Sequence, residues 1–319
     1  MNKVLILFGK TPLNKKRPFA NKDHQCCYEY FYSLCAKENI QMYRASYVWY
    51  DFKKNFFKYA WTYNADKNVW KLMKNIKPDL IYDKTGAETE AYHKKELILE
   101  HYSIVNNLNF TRILDDKLIT SMIFDKWSKK SWIVNNHKKL EKILPKIKSQ
   151  KFVLKPISES GGKNIYIVDK KNVDKIKIDR EYIIQDFINS SSGVPGIKTS
   201  FSMHDLRLIF VNEKLIYSYL REPAEDSYLA NLSQGGSLTI VPKEKLPASL
   251  KPIIRYVKEV FETFSPRIFS IDLMFDEKSK PWIVELNSMP GLFFTPEEKP
   301  YILELYRELI EVFKKKLGI

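Results

Sequence analysis

Two short apolar segments near the end of the chain carry polar residues at interior positions. The first, RIFSIDLMF (267–275), contains Asp272, and the second, PWIVELN (281–287), contains Glu285 and Asn287. Residues on both sides of these positions are apolar, which is typical of strands buried on both faces. A carboxylate inside such a strand needs a partner, so these three residues are the first candidates for chemistry.

The register of this strand pair can be predicted from the polar segment that joins the strands. If Asp276 lies opposite Pro281 in an antiparallel hairpin, Asp272 lies opposite Glu285, and Asn287 projects from the same face. Opposed like charges destabilise a strand pair unless they are neutralised, and a hard divalent cation such as Mg²⁺ with oxygen ligands would do this. The alternative is a slipped register in which one carboxylate faces solvent.

A lysine interrupts another apolar strand, FVLKP. An unpaired ammonium at Lys155 would be costly to bury, and a phosphate oxygen is a natural counter-ion. The following SESGGK loop (158–163) offers two glycines, hydroxyls and backbone N–H groups, which suit phosphates. The Gly-x-x-x-x-Gly-Lys-Ser/Thr motif is absent and a strand follows, so this is not a Walker loop. Taken alone, the loop could also be a plain hairpin.

Arginine is scarce, with 9 residues against 44 lysines, and two arginines lie within apolar strands. Asp205 and Arg207 share one face of HDLRLIFV at period 2, while Arg221 precedes Asn231 and Gly235–Gly236. A planar guanidinium can clamp a carboxylate or phosphate with two hydrogen bonds. The alternative is a surface strand of alternating polarity.

The elements that position these residues fall into two patterns. Apolar strands at 3–8, about 40–44 and about 79–83, separated by helical patterns, predict a small parallel α/β domain. From about 117 onward, strands dominate. The expected elements there are helices near 116–128, 137–149, 249–264 and 297–316, and strands at SWIVNN, KFVLKP, NIYIV and EYIIQDFI.

Glycine positions exclude one nucleotide-binding mode. Only Gly9 and Gly86 precede Gly161, so the first domain cannot carry Gly-x-Gly-x-x-Gly. The segment 43–70 is dense in Tyr, Trp and Phe, and it is not assigned to elements. Aromatic core packing is favoured for it over a substrate-facing insertion.

Composition limits the remaining classes. No stretch is long and apolar enough for a membrane span. Three cysteines (Cys26, Cys27 and Cys35) fall in one predicted helix near 24–37, where buried reduced thiols and a cytoplasmic protein are expected. The net charge of +15 comes mainly from scattered lysines, which favours a solvated surface that attracts anionic substrates over nucleic-acid binding.

In order, these segments resemble the ATP-grasp superfamily, in the branch of ribosomal-protein glutamate ligases and bacterial glutathione synthetases. Any one match is weak, but the ordered set over about 117–291 is specific. The matching segments are LDDKLIT, FVLKP, SESGGK, IIQDFI, DLR, Arg221, NLSQGG, SIDLM and VELNSMPG.

The resemblance implies roles for individual residues. Lys117 and Lys155 would contact ATP, and the 158–163 loop would be a mobile flap over the phosphates. The implied ATP-binding set continues with Ser158, Ser160, Gly161, Gly162 and Lys163 of the flap and Gln185, Asp186, Phe187 and Ile188 of an adenine-reading hinge. The implied catalytic residues are Arg207, Arg221 and Asn231, which would stabilise the phosphoryl group, and the implied metal ligands are Asp272, Glu285 and Asn287.

The implied fold is α/β (α+β), an ATP-grasp fold preceded by a small Rossmann-like domain. Its domains would span 1–112, 113–186 for the flap subdomain and 187–319 for the metal-site subdomain. The implied cofactors are ATP and two Mg²⁺ ions, with Mn²⁺ as an alternative, and a homodimer or homotetramer is expected. The segment 190–204 and the aromatic segment 43–70 depart from the family pattern. Both lie where the choice of substrate would be expressed.

The implied activity is ATP-dependent ligation. A carboxylate would be activated as an acyl-phosphate and joined to an amine of an amino acid, a peptide or a protein terminus, with ADP and phosphate released. Two alternatives remain open at this point. The same fold could act as a small-molecule kinase, or the chain could be a basic polyanion-binding protein without catalysis.

Overall fold

The chain forms two compact units in a computed structural model that describes residues 1–86, 89–157, 164–197, 199, 203–223 and 236–319. Unit 1 contains 1–110, 264–268 and 289–319, and unit 2 contains 111–263 and 269–288. The three domains expected from the sequence stay a prediction. The segment 289–319 belongs to unit 1, although the sequence assigned it to the metal-site subdomain.

Unit 1 is built on a mixed β-sheet. Its parallel part has the order β2-β1-β6-β7, of which β1, β2 and β6 are the three parallel strands that the sequence predicted. Antiparallel β4 extends the sheet beyond β2 and pairs with both β3 and β5. The strands are β1 (Asn2–Phe8), β2 (Ile40–Ser46), β3 (Tyr50–Asp51), β4 (Phe56–Asn64), β5 (Val69–Ile76), β6 (Leu80–Lys84) and β7 (Ile104–Val105).

The antiparallel addition accounts for the aromatic segment that the sequence left unassigned. Asn68 takes a left-handed φ of 49° in the turn between β4 and β5, a conformation that asparagine tolerates well. Tyr47, Tyr50 and Phe57 are buried together in the core on one face of the sheet. The prediction of aromatic core packing is therefore confirmed for these residues.

Helices cover the sheet of unit 1. The first, α1 (Lys22–Lys37), begins after Asn21, whose side chain accepts the N–H of His24. Cys27 and Cys35 are buried, but Cys26 is exposed, so the expectation of three buried thiols is wrong for Cys26. The other helices assigned to this unit, together with the helix at its boundary, are α2 (Thr89–Leu99), α3 (Leu108–Asp115) and α7 (Lys299–Leu317).

Lys84 at the end of β6 holds the segment before α7. Its Nζ donates hydrogen bonds to the carbonyl oxygens of Met289 (3.2 Å) and Pro290 (2.5 Å). Burial lowers the pKa of Lys84 to about 7, and the charge of Asp83 opposes this only in part. The folded protein therefore holds an ammonium group that burial disfavours.

We expect the stability effect of Lys84→Met to depend on pH. Between pH 7 and 10.5 the unfolded wild type binds one proton more at this site than the folded wild type, so its free energy of unfolding rises with pH. The variant lacks this contribution. Its stability relative to the wild type should be greatest at pH 7 and below and should fall as pH rises towards 10.5, as measured by urea unfolding of both proteins across this range. A constant difference would contradict the buried-ammonium interpretation.

Unit 2 contains two antiparallel sheets. One has the order β10-β9-β11-β8 and the other the order β14-β13-β12-β15-β16. The strands are β8 (Trp132–Val134), β9 (Lys151–Pro156), β10 (Tyr166–Asp169), β11 (Tyr182–Asp186), β12 (Asp205–Val211), β13 (Lys214–Glu222), β14 (Ser237–Val241), β15 (Ile268–Phe275) and β16 (Pro281–Asn287).

The helices of unit 2 are shorter than the sequence predicted. In place of a helix over 116–128, α4 covers only Lys117–Ile123. Asp116 caps its start by accepting the N–H groups of Leu118 and Ile119. The predicted helices near 137–149 and 249–264 are α5 (His137–Ile143) and α6 (Lys251–Val260). Across the described ranges, every helix falls short of the length and apolarity that crossing a bilayer requires.

Candidate active site

The hairpin of β15 and β16 brings the predicted acidic residues together, but its turn differs from the predicted turn. Asp272 does lie opposite Glu285, as expected. The assumed pairing of Asp276 with Pro281 is wrong, because Pro281 lies opposite Phe275. A β-bulge lies between the pairs Leu273–Ile283 and Asp272–Glu285, and it adds one residue to β16. This one-residue shift restores the predicted pairing of Asp272 with Glu285.

The side chain of Asp276 explains the tighter hairpin. Its Oδ1 accepts the backbone N–H groups of Lys278 and Lys280, each at 3.0 Å, and its Oδ2 accepts the indole N–H of Trp282 at 2.8 Å. Asp276 therefore closes the turn and does not continue the strand ladder. Val284 is the residue of β16 that the bulge leaves without a partner in the ladder.

Two arginines neutralise Asp272. Arg207 donates from Nε to Oδ1 at 2.6 Å and from Nη2 to Oδ2, and Arg221 Nη2 also donates to Oδ2 at 2.7 Å. Arg207 and Arg221 thus supply positive charge that was expected from a divalent cation, and the assignment of Asp272 as a metal ligand stays a prediction. Arg207 reaches Asp272 from β12, the strand beside β15, and Arg221 reaches it from β13, the next strand of the sheet.

Asp205 completes this cluster, which we call the arginine–aspartate network (Asp205, Arg207, Arg221 and Asp272). Arg221 donates from Nε and Nη2 to the two carboxylate oxygens of Asp205, both at 2.6 Å, across the β12–β13 pair. Sequence reasoning noted that Asp205 and Arg207 share a face but left Asp205 out of the site. Its period-2 spacing from Arg207 was the available signal.

The two carboxyl groups of the network differ in acidity. Burial raises the pKa of Asp205 to about 6, with the nearby charge of Asp272 adding to the effect and Arg221 opposing it. Burial acts on Asp272 in the same direction, but the charges of Arg207 and Arg221 outweigh it and lower its pKa to about 2. Asp272 is thus ionised at neutral pH, and the paired charges hold both guanidinium groups in fixed positions.

A second charged group faces β16 from the other sheet. Lys155 of β9 donates to the carbonyl oxygen of Val284, the residue at the bulge, at 3.1 Å. Lys117 at the start of α4 lies 3.2 Å from Glu285 Oε1. Burial lowers the pKa of Lys155 to about 8, because the charge of Glu285 offsets it only partly and Lys117 adds to it.

The predicted metal ligands form an oxygen-rich set. Asp272 lies opposite Glu285, and Asn287 lies opposite Ser270, two residues further along both strands. The amide nitrogen of Asn287 and the hydroxyl of Ser270 are buried without a hydrogen-bond partner. Two carboxylates and an amide oxygen are ligands that suit Mg²⁺, so the residues present fit this ion.

A narrow apolar slot with a volume of about 90 Å³ lies between the two sheets of unit 2. The described residues that line it include five of the predicted ATP-binding residues, which are Lys155 and the four hinge residues 185–188. The full lining is Lys129, Val153, Lys155, Ile165, Ile167, Gln185, Asp186, Phe187, Ile188, Met203, Met274, Ile283 and Val284. A flat, largely apolar heterocycle is the kind of group that such a slot accepts.

Several polar groups of the predicted hinge are already used by the protein. The Gln185 amide donates to the carbonyl of Lys129 (3.0 Å) and the hydroxyl of Ser131 (2.6 Å). Asp186 Oδ1 accepts two backbone N–H groups and the hydroxyl of Ser149, and that hydroxyl also accepts the N–H of Phe187 at 3.0 Å. These residues shape the slot, and the Phe187 N–H is engaged within the protein.

Six predicted site residues lie outside the described residues. They are Ser158, Ser160, Gly161, Gly162 and Lys163 of the expected flap and Asn231 of the expected catalytic set.

Comparison with known proteins identifies the family. The model of the RimK-like ATP-grasp domain matches residues 119–312, which is more than half of the chain. The chain belongs to the RimK-like ATP-grasp family. The resemblance stated from the sequence and the predicted ATP-grasp fold are therefore confirmed.

Individual relatives are more distant. A probable alpha-L-glutamate ligase of Maridesulfovibrio salexigens is 27% identical over 172 residues, which are 51% of this chain and 50% of that protein. A D-alanine--D-alanine ligase of Pelagibacter ubique is 25% identical over 244 residues, 71% of this chain and 76% of that protein. The chain thus spans about half the length of the glutamate ligase that it matches.

A solved structure supports the fold over the whole length. D-alanyl-alanine synthetase A from Vibrio cholerae superposes with a TM-score of 0.67 at 12% identity, covering 100% of this chain and 99% of that one. At this identity the similarity concerns the fold alone.

Proposed function

We propose that this protein is an ATP-dependent ligase that joins a carboxylate to an amine. The observation that carries the proposal is the arginine–aspartate network, which lies on one sheet of unit 2 in a chain of the RimK-like ATP-grasp family. Two guanidinium groups held by carboxylates, Arg221 buried and Arg207 partly buried, are suited to stabilise charge on a transferring phosphoryl group. Both curated relatives described above are named as ligases, which supports the same reaction class.

The residues of unit 2 divide into three roles in this proposal. The apolar slot takes the adenine, and Lys155 at its edge takes a phosphate oxygen. Lys117 supplies a second cation beside Glu285. Asp272, Glu285 and Asn287 would hold Mg²⁺, which would supply positive charge against the phosphate oxygens.

The proposed chemistry follows from the poor electrophilicity of a carboxylate. A carboxylate oxygen attacks the γ-phosphorus of ATP, the bond to the β–γ bridging oxygen breaks, and ADP leaves with that electron pair. The amine then attacks the acyl carbon, phosphate leaves, and the amine proton passes to solvent. Arg207 and Arg221 stabilise the developing negative charge in both steps.

One experiment tests the activity and its main alternative. The wild type with ATP and Mg²⁺ is assayed for ADP and free phosphate against a panel of amino acids and short peptides, and products are identified by mass spectrometry. The ligase predicts an amide product with one phosphate and one ADP per bond. A phosphorylated product without free phosphate would establish the kinase, and nucleotide-independent, salt-sensitive polyanion binding alone would contradict both.

We expect Lys155→Met to raise the Kd for ATP by about 10- to 100-fold, because the variant loses a charge-assisted contact to phosphate in a buried place. Methionine keeps the length and apolar stem of lysine, so the slot should stay filled. The measurement is calorimetric titration with ATP and Mg²⁺. Lys171→Met, which alters an exposed lysine beside Asp169, is the matched control and should bind as the wild type does.

The same interpretation of Lys155 would fail if ATP bound equally well to Lys155→Met and to the control.

Finer features of the protein remain proposals as well. Two metal ions, use of Mn²⁺, a homodimer or homotetramer and a cytoplasmic location would be tested by metal titration, sedimentation and cell fractionation.

A further inference from the structure

A cavity in unit 1 lies where the parallel strands β1 and β2 end. It has a volume of about 290 Å³, and its walls come mainly from the connection between β1 and α1 and from residues 44–49. In open α/β sheets the crevice outside the carboxyl ends of the strands is the usual place for a ligand. We call it the Arg44 cavity, and the described residues that line it are Phe8, Thr11, Pro12, Asn14, Arg17, Pro18, Phe19, Ala20, Arg44, Ala45, Ser46, Trp49 and Trp61.

Hydrogen bonds fix the wall of this cavity. The hydroxyl of Ser46 donates to the carbonyl of Gly9 at 2.7 Å and accepts the N–H of Thr11 at 3.2 Å. The indole N–H of Trp49 donates to the carbonyl of Thr11 at 3.0 Å. Asn14 accepts the N–H of Arg17 at 3.2 Å, which closes the next turn. The loop is therefore held in place by hydrogen bonds to residues 46–49.

Arg44 lines the cavity with hydrogen-bonding capacity to spare. Its Cζ lies 3.5 Å from the ring centroid of Phe19 and 4.3 Å from that of Phe8. A guanidinium stacked on a ring keeps its N–H groups available in its own plane. Nevertheless Nη1 of Arg44 is buried and has no hydrogen-bond partner.

Among the described residues, no carboxylate contributes to the electrostatic surroundings of Arg44, in contrast to Arg207 and Arg221. Arg207 and Arg221 each meet carboxylate oxygens at 2.6 Å. Burial lowers the pKa of Arg44, and the ionisable groups that oppose this are the hydroxyls of Tyr32 and Tyr28, which are neutral at physiological pH. A buried cation without an anionic partner is unfavourable, and ring stacking leaves the buried Nη1 unsatisfied.

The lining of the cavity indicates what would complete it. The described lining residues include a second cation, Arg17, and none of them is acidic. The other walls are apolar or aromatic, including Pro12, Pro18 and Trp61. A carboxylate matches the planar edge of a guanidinium, and an apolar body matches the remaining walls. A free phosphate ion would bind to the guanidinium group but would leave the apolar walls in contact with water.

We propose that the Arg44 cavity binds a small carboxylic acid with an apolar body, such as an amino-acid derivative, through a charge-assisted contact with Arg44. The identification of this acid with one of the two ligase substrates rests on the proposed function, but binding itself does not. Arg44 selects the carboxylate, and Trp49 and Trp61 select the apolar part. The cavity is thus a specificity site of unit 1.

The test compares two probes of nearly equal shape. N-acetyl-L-leucine and its neutral amide are titrated without nucleotide, and tryptophan fluorescence and calorimetry report binding. We expect the acid to bind about 10- to 100-fold more tightly than the amide. Equal affinity of acid and amide, or no binding of either to the wild type, would overturn the proposal.

Variants locate the probe. Arg44→Gln should weaken acid binding by about 10- to 100-fold and remove the difference between acid and amide, while Arg255→Gln, at an exposed arginine of α6, should bind as the wild type does. Unchanged acid binding by Arg44→Gln would contradict the assignment. If that variant does not fold, as judged by circular dichroism, Ala20→Phe takes its place. It narrows the cavity from an exposed position and should weaken both probes, and unaltered binding would count against the cavity.

These measurements separate the site from the ligase reaction. The binding measurements contain no ATP. If the protein binds the acid selectively but forms no amide, the proposed binding site is supported and the proposed ligase function is contradicted. If the protein forms amide bonds but binds acid and amide equally, the ligase function is supported and the proposed binding site is contradicted.

Discussion

Asp272→Asn is expected to lower the rate of ADP release about a thousandfold. The carboxylate is the common partner of Arg207 and Arg221, and asparagine leaves the two guanidinium groups with only one anion, Asp205. It also removes a proposed magnesium ligand. A metal ion contributes several kcal/mol to stabilising transition-state charge, and about 1.4 kcal/mol corresponds to tenfold in rate. The measurement is ADP release with ATP, Mg²⁺ and the substrates found in the panel.

Two further variants make this prediction specific. Asp66→Asn, in the exposed turn between β4 and β5, is the matched control and should turn over at the wild-type rate. Because Asp272 is buried, its variant could lose activity by unfolding, so thermal unfolding is measured in parallel. Glu285→Gln changes a partly exposed proposed ligand with less risk to the fold, and it should also be slow and should need more Mg²⁺. Full activity of either site variant would refute the metal assignment.

The site was partly predictable because strand chemistry is local. The period-2 pattern and the run of apolar neighbours identified Asp272, Glu285 and Arg207 as site residues, and the pairing of Asp272 with Glu285 was predicted correctly. The turn was not, because the hydrogen bonds that Asp276 makes to its own hairpin compete with strand pairing. The one-residue shift at the turn is cancelled by the one-residue shift at the bulge, so Asp272 still lies opposite Glu285. Nothing in the sequence indicates a bulge at that position.

The partners of the charged residues were harder to predict than the residues themselves. Sheet order decides which strands lie beside β15, and the chain order does not reveal that β12 is its neighbour. For this reason the sequence argument assigned the neutralising role to a metal ion, whereas Arg207 and Arg221 fill it. Arg44 shows the same limit, since its neighbours Phe8 and Phe19 meet it only through the folded sheet.

The fold itself was predicted where long apolar runs dominate. The parallel strands of unit 1 and the helix near 24–37 were found, because burial on both faces leaves a strong pattern. The β4–β5 hairpin was missed, since β4 does not show the regular alternation of buried and exposed residues that identifies a strand. The membership of α7 in unit 1 was also missed, because it depends on long-range packing such as that of Tyr306 on Phe31.

Arg221→Lys is expected to lower kcat about 100- to 1000-fold, the range found when a preorganised donor to transition-state charge is removed. Arg221 binds two carboxylates at once, because its Nε and Nη2 reach both oxygens of Asp205 and Nη2 also reaches Asp272. A lysine keeps the charge, but its single ammonium cannot span both groups in the same plane.

The conservative exchange separates charge from geometry. If charge alone were sufficient, Arg221→Lys would remain within about threefold of the wild type, and the network would then be an electrostatic support without a role in orienting the phosphoryl group. If geometry matters, kcat falls while the Kd for ATP, set by Lys155 and the apolar slot, changes little. Arg255→Lys on the exposed face of α6 is the control for the exchange itself. A parallel loss of ATP affinity in Arg221→Lys would instead assign Arg221 to nucleotide binding, against the role proposed here.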